Sequence, residues 1–189
     1  VDMLDKLGVK AFKIASCDIT NFPLLKKIAK KKKPIFLSTG ASNIREIESA
    51  YKYISKFNKK ICLMHCTMSY PTKPEDVNLL ALNEFKKKFK NIPLGLSDHS
   101  LGYKIAAASV LLGVRVIEKH FTYNKRLKKS ADHSISIDSF ELKKLRQSVD
   151  LFLKASGEEN KKVLKCEKEL RKIARRSLVT TKLIKKGEF

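Results

Sequence analysis

The stretch Ile92-Pro93-Leu94-Gly95-Leu96-Ser97-Asp98-His99 passes from apolar to polar within a few residues, and its form decides the fold class. A short run with hydrophobic residues on both faces reads as a strand covered on two sides, as in parallel sheets. Runs of the same form occupy residues 11–15, 35–38, 61–66 and 114–119. Amphipathic segments separate them, at 22–31, 42–56, 79–89 and 103–112, and a last one at 139–155 stops before Gly157. Asn21, with Pro23 in the first turn, marks one helix start, and Ser42 marks another. Strands alternating with helices imply βαβ units and a parallel α/β sheet.

The polar residues decide between two ways of winding such a sheet. Every run ends in a cluster that can carry chemistry: Lys13 to Asp18, Ser38-Thr39-Gly40, His65-Cys66-Thr67, Ser97-Asp98-His99 and Glu118-Lys119-His120. A TIM barrel places functional side chains at the carboxyl ends of many strands. An open doubly wound sheet gathers them at one switch point. Neither a G-x-G-x-x-G nor a Walker A sequence is present. The expectation is therefore five βα units of a (β/α)₈ barrel, with about three more preceding them.

Composition narrows the class further. The chain has 189 residues, 43% of them hydrophobic, enough for one domain with a core. No apolar run is long enough to span a membrane, and the opening Val1-Asp2-Met3-Leu4-Asp5 does not read as a signal peptide. It lacks an initiator Met, so a fragment is expected. Cys17, Cys62, Cys66 and Cys166 form no Cys-x-x-Cys pair, which fits a reduced, cytoplasmic chain. The net charge of +22 is mostly Lys, as at Lys26-Lys27 and Lys30 to Lys33. Few aromatics interleave with these runs, so they read as a solvated surface and nucleic acid is not an expected partner.

His99 and His120 end consecutive strands, which lie about 4.8 Å apart in a sheet. Two imidazoles so placed could share one metal ion, with Asp98, Glu118 and Asp132 as oxygen ligands or ring orienters. Mixed nitrogen and oxygen ligands with open positions suit Mn²⁺ or Mg²⁺ better than a structural zinc. The plain alternative is one packing and one surface histidine. Lys13, Ser16, Ser38 and Thr39 form a second group, suited to a phosphate or carboxylate. The turn at residues 38–42 leads into a helix whose free N–H groups favour an anion. Against this, Ser42 could be only a cap and Lys13 one Lys among many. His65 follows an apolar run and suits a satisfied core histidine equally well. Tyr70, Pro71 and Pro74 lie in a loop too long for a tight turn, of the kind that holds substrate.

Together these stretches resemble the sialic acid synthase (N-acetylneuraminate synthase) family, which includes pseudaminic and legionaminic acid synthases. The matching segments are KIASCDITN from Lys13, KPIFLSTGAS from Lys33, LMHCTMSYPTKPEDVNL from Leu63, PLGLSDHSLG from Pro93, VIEKHFT from Val116 and ARRSLVTTKLIKKGE from Ala174. The resemblance covers nearly the whole chain in order, and GLSDHS followed by EKHFT is its most specific part. It implies the last five βα units of a TIM barrel over residues 1–156, a linker at 157–174, and the start of a small antifreeze-like (SAF) domain at 175–189.

The resemblance also implies roles. Metal ligands fall at His99 and His120, with Mn²⁺ or Mg²⁺ as cofactor. Phosphoenolpyruvate contacts fall at Lys13, Ser16, Ser38 and Ser97, and sugar contacts at Tyr70 and Asp132. Asp18 stands where the family often has an acid near the reacting centre, and Asp18 or Glu118 could move protons. The implied reaction condenses phosphoenolpyruvate with an N-acylated amino sugar such as N-acetylmannosamine, forming a sialic-acid-type product and releasing phosphate. A homodimer is the implied assembly, and a fragment alone is expected to be inactive. Met68 departs from the family pattern: some members carry there an Asn that touches phosphoenolpyruvate, and a thioether cannot donate that hydrogen bond. Two other readings stand beside this one: a different phosphoenolpyruvate-using barrel aldolase, and a basic nucleic-acid-binding module without catalysis.

Overall fold

The computed structural model describes residues 1–128 and 130–188; Phe189, the last residue of the range read as a second domain, lies outside them. The chain divides into two compact units, Val1–Ser156 and Gly157–Phe189. In the first, α1 (Asp2–Lys6) precedes β1 (Phe12–Ile14), α2 (Phe22–Ala29), β2 (Ile35–Ser38), α3 (Ile44–Ser55) and β3 (Ile61–Cys66). Then come α4 (Ala81–Lys88), β4 (Leu94–Asp98), α5 (Lys104–Ala108), β5 (Val114–Lys119), α6 (Asp132–Ile135) and α7 (Ser139–Ser156). The second unit holds α8 (Lys168–Ala174), preceded by a 3₁₀ turn at Lys165–Glu167.

The five strands pair in the order β1-β2-β3-β4-β5, every pair parallel. This order never reverses, so the sheet has no topological switch point, and the doubly wound alternative does not hold. Strand alternation divides the side chains. Phe12, Ile14, Ile35, Leu37, Ile61, Leu63, Leu94 and Leu96 form one core with Leu25, Ile28, Ile47, Ile54, Leu82 and Phe85 of the helices. The other face carries Lys13, Ser38, Cys66, Ser97 and Glu118, which line a cavity. Deeper on this face Met64 lies across β4, and a Cβ at position 95 would stand 2.1 Å from its Sδ. Gly95 is thus required by close packing.

This sheet is curled. In a flat sheet β1 and β5 would lie about 19 Å apart, further than Lys and Glu side chains can span together. Yet Lys13 of β1 and Glu118 of β5 form an ion pair. The strands therefore wrap into a trough with the polar face inside, the curvature that barrel closure requires.

Several local expectations are corrected. The cap of α3 is Asn43: its side chain accepts from Arg45 N–H at 2.9 Å and Glu46 N–H at 3.1 Å, while Glu46 accepts from Asn43 N–H at 2.8 Å. This capping box takes up the free donors and sets a carboxylate beside them, so the N-terminus of α3 is not an anion site. Ser42 turns back to donate to the Gly40 carbonyl at 3.2 Å. The helix expected through residue 112 ends at Ala108 and continues as a 3₁₀ turn to Gly113, whose φ of 79° suits glycine. β4 spans Leu94–Asp98, ending two residues beyond the apolar run expected as the strand, Ile92 to Leu96. Residues 175–180, whose sequence turns β-like after the charged stretch before them, form no strand. The short helices α1 and α6 had no periodic signal. In α1, Asp2 and Asp5 pair with Lys27, Lys31 and Lys33, contacts that no local pattern reports.

Candidate active site

The carboxyl ends of the strands surround a cavity of about 360 Å³. Of the residues singled out in the sequence, Lys13, Ser16, Ser38, Ser97, Tyr70, Glu118, His99 and His120 all line it. Asp18 does not: the 3₁₀ turn Ser16–Asp18 gives the cavity Ser16 and Cys17 instead. Asp132 opens α6 beyond the fifth strand, its Oδ2 3.9 Å from His120 Nδ1.

One wall is built to hold an anion. Lys13 supplies a cation with donors to spare beyond Glu118. The Ser16 hydroxyl accepts from Gly40 N–H at 2.9 Å, which leaves its own proton free for a ligand. The Ser38 hydroxyl is buried and has no hydrogen-bond partner. A buried hydroxyl left unpaired costs stability, and a phosphate or carboxylate oxygen would satisfy it. Close packing fixes this wall. A Cβ at position 40 would come within 2.7 Å of Met68 Cγ and 2.9 Å of Ser16 Oγ, so Gly40 cannot be replaced without displacing both. Thr39 is tied down by donating to the Met64 carbonyl at 2.9 Å.

Glu118 stands between this wall and the imidazoles. Burial pushes its carboxyl pKa up, but hydrogen bonds from Lys13 and Ser97 and the charge of Lys13 outweigh that and hold it below the usual range. It is ionised at neutral pH, suited to accept a proton rather than to donate one.

The opposite wall holds three rings. His99 and His120 have centroids 5.4 Å apart, and Tyr70 lies 4.1 Å from His99 and 5.9 Å from His120. His99 Nδ1 lies 2.8 Å from the Thr67 carbonyl. A carbonyl can only accept, so Nδ1 carries the proton and Nε2 keeps its lone pair. Thr72 N–H donates to the His99 carbonyl at 3.0 Å. The loop bearing Tyr70 thus fixes both the backbone and the tautomer of His99. Burial, and then the neighbouring Cys66, Asp132 and Glu118, push the Tyr70 phenol up, so it is a neutral donor. His65 proves to be the core histidine: Nε2 bonds the Val77 carbonyl at 2.7 Å, and the ring meets Phe85 edge-on.

Asp98 is not a ligand candidate. Its carboxylate takes Lys119 Nζ at 2.8 Å and Ser100 N–H at 2.9 Å, both side chains almost wholly buried. The sequence reading placed Lys119 in the strand-end cluster Glu118-Lys119-His120 but gave it no partner. Opposite charges beside the histidines of two consecutive strands, SDH and EKH, were the available signal. No cluster of three His, Cys, Asp or Glu side chains fit to hold a metal occurs among the described residues. The two imidazoles with His99 Nε2 free still fit a divalent ion whose other positions belong to water and substrate.

Residues 1–161 match the NeuB family. The chain belongs to the NeuB family. It is 47% identical to N,N'-diacetyllegionaminic acid synthase of Campylobacter jejuni, aligned over 100% of this chain and 57% of that protein. It is 39% identical to N-acetylneuraminate-9-phosphate synthase of Homo sapiens, over 99% of this chain and 52% of that protein. Among solved structures, the N-acetylneuraminic acid synthetase of Leptospira borgpetersenii superposes with a TM-score of 0.85 at 36% identity, over 91% of this chain and 60% of its own. The chain thus spans about half the length of the curated relatives it matches. The family resemblance read from the motifs is borne out. Among the described residues no helix is long and apolar enough to cross a membrane.

Proposed function

We propose that this NeuB-family protein condenses phosphoenolpyruvate with an N-acylated amino sugar, such as N-acetylmannosamine, to give a sialic-acid-type acid and inorganic phosphate. One observation carries this reading: an unpaired buried Ser38 hydroxyl, Lys13 and Ser16 sit across a single cavity from two imidazoles. Lys13, Ser16, Ser38 and Ser97 bind the phosphate and carboxylate of phosphoenolpyruvate, which fixes its C3 against the sugar aldehyde. His99 and His120 hold a divalent cation, Mn²⁺ or Mg²⁺, which when bound supplies a Lewis acid for the aldehyde oxygen. A C–C bond forms between C3 and the aldehyde carbon, water adds at C2, and phosphate leaves with cleavage of the C2–O bond. Glu118, held ionised, accepts the proton of that water. Tyr70 and Asp132 contact the sugar.

In the same reading the five βα units belong to a (β/α)₈ barrel, residues 175–189 open an antifreeze-like domain, and the enzyme works as a cytoplasmic homodimer. The test, run on the full-length enzyme, is phosphate release from phosphoenolpyruvate across a panel of N-acylated amino sugars, with Mn²⁺, Mg²⁺ or a chelator present. Metal-dependent release with at least one sugar is expected. No release with any sugar in the presence of metal would sink the reading; release only with a sugar lacking the N-acyl group would favour another phosphoenolpyruvate aldolase.

A further inference from the structure

We infer that Asp98 and Lys119, neither of which touches the reacting atoms, form a buried brace that sets His99 and His120 against each other. The register pairs Ser97 with Glu118 and Asp98 with Lys119 as the last two rungs between β4 and β5. Alternation turns Ser97 and Glu118 to the cavity face, directs Asp98 and Lys119 the other way, though Lys119 still borders the cavity, and returns His99 and His120 to it. The ladder ends at the rung before them, and past it each histidine is tied to a different neighbour: Thr72 N–H donates to the His99 carbonyl at 3.0 Å and Ile137 N–H to the His120 carbonyl at 2.9 Å.

The ion pair ties the two strand ends to each other. Lys119 Nζ reaches Asp98 Oδ2 at 2.8 Å and also donates to the Ser100 carbonyl. Asp98 Oδ1 accepts from Ser100 N–H at 2.9 Å. Residues 98 and 100 are thereby pinned to one lysine of the neighbouring strand, with His99 between them. The two side chains are 1% and 4% exposed. At that depth an ion pair adds little net stability over an apolar pair, but it tolerates only one geometry. A shift of one strand by one residue would turn its imidazole away from the cavity and from the other.

The metal arm of the test rests on the proposed function; the imidazole arm does not. The variant is Asp98→Asn with Lys119→Met in the same chain, which removes both charges and so leaves none buried unpaired. The protein has four histidines, a set small enough to follow by aromatic proton–carbon spectra without metal. Tyr70, 4.1 Å from His99, shifts the His99 ring protons upfield, and His65 against Phe85 is the internal standard. In the variant the His99 and His120 signals should move toward unstructured positions while His65 stays in place. Mn²⁺ affinity should fall tenfold or more, as for other residues that orient metal ligands, and in the full-length enzyme the same substitutions should leave the KM for phosphoenolpyruvate unchanged. Unmoved His99 and His120 signals overturn the brace. So does collapse of all four, which would make the pair a general prop of the fold. A raised KM for phosphoenolpyruvate would make Lys119 a substrate contact and overturn it too. If the parent protein binds no Mn²⁺, the metal reading fails alone and the spectra still decide the brace.

Discussion

Lys13 on the first strand and Glu118 on the last share an ion pair across the cavity, though three strands separate them in the sheet. The pair joins the anion wall to the imidazole wall. In the proposed reaction an arriving phosphate would share Lys13 with Glu118, which would reorganise the carboxylate proposed to take the proton.

Replacing Lys13 tests the anion wall. Lys13→Met removes a charge-assisted contact worth about 2 kcal/mol, so kcat/KM for phosphoenolpyruvate should fall about thirtyfold. Arg is a poor control, because its fork has a different reach. Steady-state kinetics with phosphoenolpyruvate varied decide it: unchanged constants would return Lys13 to the solvated surface.

The imidazoles come next. His99→Ala and His120→Ala should each weaken Mn²⁺ binding and lower turnover together, because both nitrogens are proposed to hold one ion. Isothermal titration with Mn²⁺, run beside the activity assay, checks this. Normal affinity and full activity in either variant would exclude the two-histidine site.

How much of this was legible beforehand follows a physical division. Periodicity reports what a residue does within its own element, so the β2, β3 and β5 runs and the polar clusters at their ends could be read directly. The pairing of Lys13 with Glu118, 105 residues apart, depends on curl, which no local pattern encodes. Asp98 was left open between oxygen ligand and ring orienter, because its partner Lys119 lies on another strand and no local pattern reports that pairing. Ser38 could be named from the motif, but its unpaired, buried state is a property of packing.

Thiol chemistry can map the cavity without turnover. Cys17 is exposed and lines the cavity, whereas Cys62 and Cys66 are buried. Burial pushes the Cys62 thiol up to about 11, so it stays protonated and unreactive at neutral pH. In a Cys166→Ser background, Cys17 should alkylate first, and phosphoenolpyruvate should slow it. Mass spectrometry of a labelling time course reads both. Labelling of Cys62 at the same rate as Cys17 would contradict the packing.

Acid stability should report the seat of α1. Hydrogen bonds from Lys27 and Lys31 lower Asp2 to about 2, and those from Lys33 and Lys31 lower Asp5. Both folded pKa values lie below the unfolded value of about 3.9. Their contribution is therefore full above about pH 4 and fades as pH falls toward 2. Because the groups are exposed, the effect should be small and salt-sensitive. Thermal unfolding of the Asp2→Asn, Asp5→Asn double variant should show a deficit at pH 6 that shrinks markedly by pH 2. A deficit as large at pH 2 as at pH 6 would assign the loss to something other than these ion pairs.

Sugar selection is tested at Tyr70 and Asp132. Tyr70 lies against His99, and Asp132 sits 3.9 Å from His120, so both approach the imidazole wall from loops after different strands. Among the described residues no hydrogen bond or ion pair joins either to Lys13, Ser16 or Ser38, which are assigned to phosphoenolpyruvate. A neutral Tyr70 hydroxyl can donate, and an Asp132 carboxylate can only accept, which together suit the alternating donors and acceptors of a polyol. Tyr70→Phe keeps the ring that packs on His99 and removes only the hydroxyl. Asp132→Asn keeps the shape and removes the charge. Each should raise the KM for the sugar, by roughly tenfold for one lost hydrogen bond, while the KM for phosphoenolpyruvate stays near its parent value. The measurement is steady-state kinetics with the two substrates varied separately. Equal losses for both substrates would place these residues in the general architecture of the site, and no loss for either would remove them from it.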